Sequence, residues 1–576
     1  MSLIDRRYIC ENLSQDYELH TFLYTSFQEG LENAEQLFVK QASEDKPYEH
    51  KYSARELLQS LAKSTYLIAE DNNPLRICAN ALIKYYLAAN YNDTEELKEA
   101  QDHYKASIEL FNQLPEDIKL RHINTIQDIY NNAGILWCNR ADHKKGIAYF
   151  AKAEEMYDLV KDCKGAKVVN ILNEFLLKLN EEKCFGFYID GGFDKNKLEN
   201  NYTQTLFYLA QVYGKLKKAD LSASYCAKTL QRQVQSGNFQ IKDWAINCVS
   251  LSDYFLENHN YAQAEYCLWA ALRMLPSDPK KKKKLRATIA MQLGKYYAQR
   301  LADGIKRLKL NTSIESLETL KAQATKKFVD FPSLNIPWPT INDIKDLEGA
   351  KEFFRLANTQ YKKAIEYFVL DGYVTQHIEL RKSMSEIYRN LGQIEPDPAR
   401  LMAMLDKRRE IMEPVSYDIN TKAYCNQMQE VWYELSIIHA EMHTRALTSS
   451  NNAKGKTKRA KMLEEANKYA LKSINYSKQL IELLQGLDEK SENVDLAIHA
   501  QNMNIAKMYS EIEVVDLSEN IGYYKESLAY YEKIKNGLEK YKDKETYSEE
   551  YRLSQEMCEL LPIKISRVIA ERSSKS

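Results

Sequence analysis

The stretch YNNAGILWCNRADHKKGIAYFAKA sets Tyr130, Ala133, Gly134 and Trp137 along one helical stripe and Gly146, Phe150 and Ala153 along the next. This follows the tetratricopeptide spacing W-x2-L-G-x2-Y, then A-x3-F-x2-A, in which small residues let two antiparallel helices approach and large ones fill the gap between them. Two further copies follow. LFYLAQVYGKLKKADLSASYCAKTL carries Leu206, Leu209, Ala210, Tyr213, Ser222 and Cys226 at the pattern positions. NCVSLSDYFLENHNYAQAEYCLWAALRMLP fills nearly all of them, with Cys248, Leu251, Ser252, Phe255, Ala264, Leu268, Ala271 and Pro276. Weaker copies lie at Ala100 and Tyr104, Ala364 and Phe368, and Ser527 and Tyr531, at spacings that depart from a strict repeat, so helix lengths vary. Stacked hairpins of this kind form a solenoid with an extended inner wall.

The rest of the chain agrees with that pattern. Only 18 Gly and 12 Pro punctuate 576 residues, apolar residues recur every three or four positions, and alternating strand-like runs are hard to find. The expected fold is all-α: a right-handed α-solenoid of tetratricopeptide-like helical hairpins, in two halves joined by a helical linker. The run PSDPKKKKK (276–284) ends a helix, and FVDFPSLNIPWPT (328–340) carries three Pro that no helix interior tolerates. Between them, 285–327 reads as one or two long helices. The expected division is an N-terminal solenoid over 1–284, a linker with a Pro-rich loop over 285–345, and a C-terminal solenoid over 346–576. SSNNAKGKTKRAK (449–461) reads as a mobile basic loop.

Charge and cysteine usage limit the partners. Eighty basic against 81 acidic residues leave a net charge of −1, so no overall field draws the chain to nucleic acid or an anionic membrane surface. The ten Cys are scattered without a C-x-x-C pair, the pattern of reduced thiols in a cytosolic protein. Charges break the first twenty residues, and nowhere do about 18 apolar residues run uninterrupted, so neither secretion nor membrane insertion is expected.

Catalytic chemistry finds little support. In EYFVLDGYVTQHIEL (366–380), Asp371-Gly372 supplies a helix stop and Leu380, Met384, Ile387 and Leu391 carry the next apolar stripe. Asp371, His377 and Glu379 are then linker and helix-start residues rather than a catalytic set. No H-x3-H or H-E-x-x-H arrangement occurs among the ten His, so no metal site is expected. GFYIDGGF (186–193) matches neither G-x-G-x-x-G nor a P-loop, and Lys280–Lys284 reads as a solvated loop. The 40 Tyr fall mostly on apolar stripes, as core or groove lining rather than nucleobase platforms. Neither a cofactor nor a small-molecule substrate is expected.

What remains is the second, polar stripe of the first helices. Gln204, Tyr208, Gln211 and Lys215 share one face opposite Leu206, Leu209, Ala210 and Tyr213, and Ser250, Asp253 and Glu257 share a face opposite Trp244, Cys248, Leu251 and Phe255. Periodicity alone allows either a partner-binding inner wall or an ordinary solvated face.

Several stretches match one family in order along nearly the whole chain: PYEHKYSAR (47–55), NDTEEL (92–97), NNAGILW (131–137), YLAQVY (208–213), DWAIN (243–247), DGYVTQHIE (371–379), DKRREIMEP (406–414) and LLPIK (560–564). The chain resembles the kinesin-binding proteins, helical-repeat regulators that grip kinesin motor domains and cover their microtubule-binding surface. That resemblance implies a non-enzymatic, cytoplasmic, cytoskeleton-associated role with kinesin motor domains as partners. It places Tyr208, Gln211 and Gln233 where family members use the same residue types for the contact, and Ser250 where a Thr is expected. The full expected face is Gln204, Tyr208, Gln211, Gln233, Ser250, Asp253 and Glu257. A rival is an adaptor clamping a peptide carboxylate, which needs Lys or Arg and Asn at set inward positions; Phe207 and Gln211 stand there instead. A hydrolase or transferase in the C-terminal half is the other, and no triad, metal or phosphate motif supports it.

Overall fold

The computed structural model describes residues 26–68, 74–161, 194–310, 328–486 and 492–575, apart from 44, 279, 341–342, 418, 454, 515 and 540–547. The Gly-Gly stretch at 186–193, residues 311–327 and Cys10, Cys163 and Cys184 lie outside them. Among the described residues every regular element is a helix, and the fold is an α-solenoid of stacked hairpins. The chain divides into two compact units, Met1–Gln240 with Phe328–Ser333, and Ile241–Lys327 with Leu334–Ser576.

Unit 1 holds α1 (Gln28–Val39), α2 (Glu49–Ile68), α3 (Pro74–Asp93), α4 (Leu97–Gln113), α5 (Glu116–Arg121), α6 (Ile123–Asn139), α7 (His143–Lys161), α8 (Lys195–Lys215) and α9 (Ala219–Ser236). Its hairpins are α3/α4, α6/α7 and α8/α9. The α6/α7 approach depends on two glycines. A Cβ at Gly134 would lie 2.7 Å from the Phe150 ring, and one at Gly146 would overlap the Cys138 sulfur, so the pattern's small positions are required by backbone proximity. Val329 and Phe331 are buried, and the Asp330 carbonyl accepts from Gln231 Nε2 at 3.3 Å.

Unit 2 holds α10 (Ile241–Glu257), α11 (Tyr261–Arg273), α12 (Lys283–Leu310), α13 (Leu347–Ile365), α14 (Val374–Gly392), α15 (Pro398–Met412), α16 (Cys425–Asn451), α17 (Lys456–Gln485), α18 (Glu492–Glu511), α19 (Leu517–Leu538) and α20 (Ser548–Lys575). They pair in succession, with α20 against α19. Asx side chains start several of them. Asp346 accepts from the Gly349 amide at 2.8 Å, Asp397 from Ala399 at 3.0 Å with Pro398 in the first turn, and Asp516 from Ser518 at 2.8 Å, each satisfying a donor that the helix leaves open.

One connection recurs. Glu95, Ala141, Lys217 and His259 each sit between the two helices of a hairpin with φ of 63°, 62°, 57° and 55°. The amide after each bonds back five residues, as from Asp142 to the Trp137 carbonyl at 3.0 Å, Lys218 to Tyr213 at 2.9 Å and Asn260 to Phe255 at 2.8 Å. This is a Schellman closure whose left-handed position holds a residue other than glycine.

Three local expectations change. The loop expected over 449–461 shrinks to the connection after Asn451 and before Lys456: α16 runs to Asn451 and α17 begins at Lys456, because a run of exposed Lys and Arg is well tolerated on the solvent side of a helix. Phe368 is buried but lies in the turn beyond α13 rather than on it. Lys283 and Lys284 form the first residues of α12, with the Lys284 ammonium 5.6 Å from the Tyr373 ring centre. The reading of 366–380 as a helix junction holds. Gly372 has φ +103°, and His377 Nδ1 meets the Phe368 carbonyl at 2.8 Å while its Nε2 accepts from Arg381 Nε at 2.7 Å.

Candidate partner-binding face

On α8 the apolar stripe is buried and the polar one is open. Leu206 and Leu209 are sealed in the core, whereas Gln204 and Tyr208 are half-buried and Gln211 is exposed. Tyr208 does not hang free. Its ring stacks on Phe150 with centroids 5.8 Å apart and planes 3° apart, and Phe207 meets its edge at 5.4 Å. A large amphipathic ring is thereby fixed in place with part of its surface toward solvent, so little rotamer entropy is left to lose on binding. Gln233, on α9, is half-buried, and its side-chain oxygen has no hydrogen-bond partner.

Next to Gln233 is a cluster that local periodicity does not reveal. The Arg232 guanidinium lies over the rings of Tyr157 and Tyr202, 5.0 and 4.6 Å from their centroids, pairs with Glu199 Oε2, and donates to Thr203 Oγ at 3.1 Å. The two rings stack 3.7 Å apart. It joins α7, α8 and α9 behind the Gln204 position and stiffens that end of the hairpin.

In unit 2, Ser250 and Glu257 are exposed and Asp253 is half-buried. Asp253 is already engaged: Lys295 Nζ of α12 donates to it at 2.7 Å, and Gln292 Nε2 donates to the same oxygen. The charges then alternate along successive first helices. Glu379 on α14 lies within electrostatic reach of Lys295 and Lys382, and Lys382 pairs with Glu430 of α16. Burial pushes the Glu379 carboxyl up, the nearby Lys295 and Lys382 oppose that, and Asp253 and Glu430 add to it.

The seven expected residues therefore fall in both units: Gln204, Tyr208, Gln211 and Gln233 in unit 1, and Ser250, Asp253 and Glu257 in unit 2. Among the described residues no three His, Cys, Asp or Glu side chains gather as metal ligands, and no helix is long and apolar enough to cross a membrane.

Fold and faces together define a helical-repeat protein whose first helices carry half-open polar stripes over a closed core. The sequence pattern of the family described as KIF-1 binding protein C terminal matches residues 242–568, and the chain belongs to that family. KIF-binding protein of Gallus gallus is 28% identical over 579 residues, spanning 92% of this chain and 94% of the relative. The Homo sapiens protein is 25% identical, over 91% and 94%, and the Drosophila melanogaster protein 22%, over 95% and 98%. Among solved structures, the KIFBP core determined by cryo-EM is similar at a TM-score of 0.35 and 23% identity, covering 52% of this chain and 98% of that one. The S. pombe nuclear import adaptor Nro1 is similar at a TM-score of 0.28 and 14% identity, covering 75% and 98%.

Proposed function

We propose that this protein binds kinesin motor domains through the polar stripes of its first helices and, by occupying a motor's track-binding surface, keeps the motor off the microtubule. Family membership and the names of relatives aligned along nearly their whole length support the partner. The observation that carries the site is the α8 face, where Gln211 is exposed and the Tyr208 ring is held against Phe150. A motor's track-binding face must be basic to hold acidic tubulin. An aromatic anchor flanked by amide side chains, as on α8, suits such a surface. Asp253 would reach a motor's Lys or Arg only by exchanging Lys295 for it, so its part is smaller than that of Tyr208. The role is steric and non-catalytic, exercised in the cytoplasm on motors that would otherwise engage the cytoskeleton.

Microtubule co-sedimentation of several purified motor domains, with and without this protein, tests the reading. Loss of a motor from the pellet is the expected result, and a motor that binds the protein yet still pellets would refute the masking mechanism. Replacing Tyr208 and Gln211 together with Ala should weaken motor binding by about 2 kcal/mol or more, roughly 30-fold, as central contacts do. Unchanged affinity in a double variant with wild-type circular dichroism would remove this face from the site.

A further inference from the structure

Between α16 and α18 the packing of unit 2 leaves a groove. Both helices run antiparallel to α17. On one side His443 meets the Ala466 carbonyl and Ser473 the Ser436 carbonyl, and on the other Ser477 meets Gln501 and Asn467 the Glu513 carbonyl. α16 and α18 therefore point the same way. Tyr433, Ile437, Ala440 and Thr444 follow one another at helical spacing on α16, as Ala497, Ala500, Asn504 and Lys507 do on α18. Tyr433, Ala497 and Ala500 line a cavity of about 440 Å³ backed by Leu480 and Leu484 of α17. The other five line one of about 760 Å³ beside Met402 and Met462. The two cavities are successive parts of one groove, open because Ala, Thr and Asn stand where larger side chains would fill it.

Its polar and charged groups specify what enters. Gln501 is 4% exposed and lines the first cavity; its Oε1 accepts from Ser477 at 3.0 Å, while its Nε2 has no hydrogen-bond partner among the described residues. A buried amide with an open donor is complete only when an acceptor enters beside it. The charges differ from end to end. Near Tyr433 they are answered: Lys382 pairs with Glu430, Arg389 with Glu386, and Arg408 with Glu434. Near Thr444 the acids are engaged too, Glu441 with Arg408 at 3.3 Å and Glu465 with the Tyr469 hydroxyl at 3.0 Å. Arg445 and Lys507, which line the second cavity and are exposed, have no ion pair among the described residues. The groove is thus apolar and neutralised at one end and positive at the other.

We propose that this groove docks an amphipathic helix of a partner protein, with a large apolar residue over Leu480 and Leu484 and acidic residues beside Arg445 and Lys507. Small residues along two parallel helices let a third approach closely, and an apolar helical face laid in such a groove is a recurring mode of recognition. The C-terminal end of a helix is itself negative, so the bound helix points the same way as α16, apolar anchor first. Arg445 lies about 18 Å beyond Tyr433 at 1.5 Å rise per residue, which sets the anchor and the acids about three turns apart. Motor binding is assigned to residues on α8, α9 and α10. The groove is therefore a second surface, for a partner that is acidic where a motor's track-binding face is basic.

The probe is a fluorescent peptide of about five helical turns, with Leu at steps of three and four residues and two Glu in its last turn. Anisotropy against the full chain should give a dissociation constant on the order of ten micromolar. Moving the Glu pair to the first turn should weaken binding about tenfold, and a central Pro, which breaks the helix, should abolish it. Arg445→Glu with Lys507→Glu should weaken the Glu-ended peptide about tenfold or more and favour one ending in two Lys. Ala500→Trp, which fills the groove, should block both peptides. The three substituted positions are exposed, so melting temperatures should match wild type, and motor binding should persist in both variants. No binding of the Glu-ended peptide, equal binding of the two charge orders or of the Pro peptide, binding that survives Ala500→Trp, or motor binding lost with the groove filled would each overturn the proposal.

Discussion

Arg408 is 2% exposed and is tolerated inside unit 2 only because its charge is answered. It donates to Glu434 at 2.8 Å and lies 3.3 Å from Glu441 and from Ser385 Oγ. Burial alone would raise the Glu434 carboxyl. The Arg408 guanidinium, with Ser385 and Arg389, more than reverses that and leaves it below its ordinary value. Replacing Arg408 with Met should therefore cost about 3–5 kcal/mol, because Glu434 is left buried with its main partner gone, whereas removing both charges together should cost far less. Urea unfolding at neutral pH measures both. Equal losses in the single and double variants would show that packing volume, not the orphaned charge, sets the cost. Nothing local announces this pair. Arg408 and Glu434 are 26 residues apart, Asp253 and Lys295 are 42 apart, and Arg232 and Glu199 are 33 apart. Helical periodicity reports which face a residue occupies, and by that rule spacing alone sets Tyr208 and Gln211 on the polar stripe opposite the core. It does not report which distant charge arrives opposite, which is why Asp253 reads as an available acid in the sequence and is a bonded one in the fold.

Helices and their pairing were the most legible level, and the connections the least. Small and large residues at fixed intervals located the α6/α7, α8/α9 and α10/α11 hairpins, because backbone proximity leaves few options where Gly134 faces Phe150. The repeated Schellman closure is illegible in the sequence because its usual mark, glycine in the left-handed position, is missing from Glu95, Ala141, Lys217 and His259. Each of these residues holds a strained backbone that glycine adopts freely. Ala141→Gly should thus stabilise the α6/α7 hairpin by about 0.5–1 kcal/mol, against the general rule that glycine destabilises. A chemical-denaturation midpoint that fell in this variant would show that the closure is held without strain. The extent of the 449–461 loop is illegible for a related reason: Asn452 and Gly455, with φ +105°, do form the connection, but amphipathic helices carry Ser and Lys on their wet side, and only the packing of α16 on α17 shows how far each helix runs.

For the molecule as a whole, near-equal numbers of acids and bases mean that stability against pH depends on a few buried groups rather than on net repulsion. One histidine in each unit is held neutral. His439 in unit 2 is fully buried, with rings of Tyr476 and Tyr469 at 5.6 and 6.2 Å and no hydrogen bond to either ring nitrogen. Its one acidic neighbour, Glu413, is 3.8 Å away and already paired with Arg409 and Lys472 at 2.6 and 2.9 Å. Burial first, and Lys472 second, lower the imidazole to about 4. His103 in unit 1, stacked on Tyr91, is likewise lowered to about 4 by burial and then by Lys84. The unfolded chain binds these protons near the ordinary histidine value of 6.5 and the folded chain does not, so stability is complete above that value and falls as pH drops from 6.5 toward 4. For His439 the full loss is about 3 kcal/mol. His439→Phe keeps the aromatic stack and removes the proton, so between pH 7.5 and 4 the wild-type unfolding free energy should drop by about that much more than the variant's. Parallel decline of the two proteins in urea titrations across this range would mean that His439 takes up its proton without unfolding the helices around it.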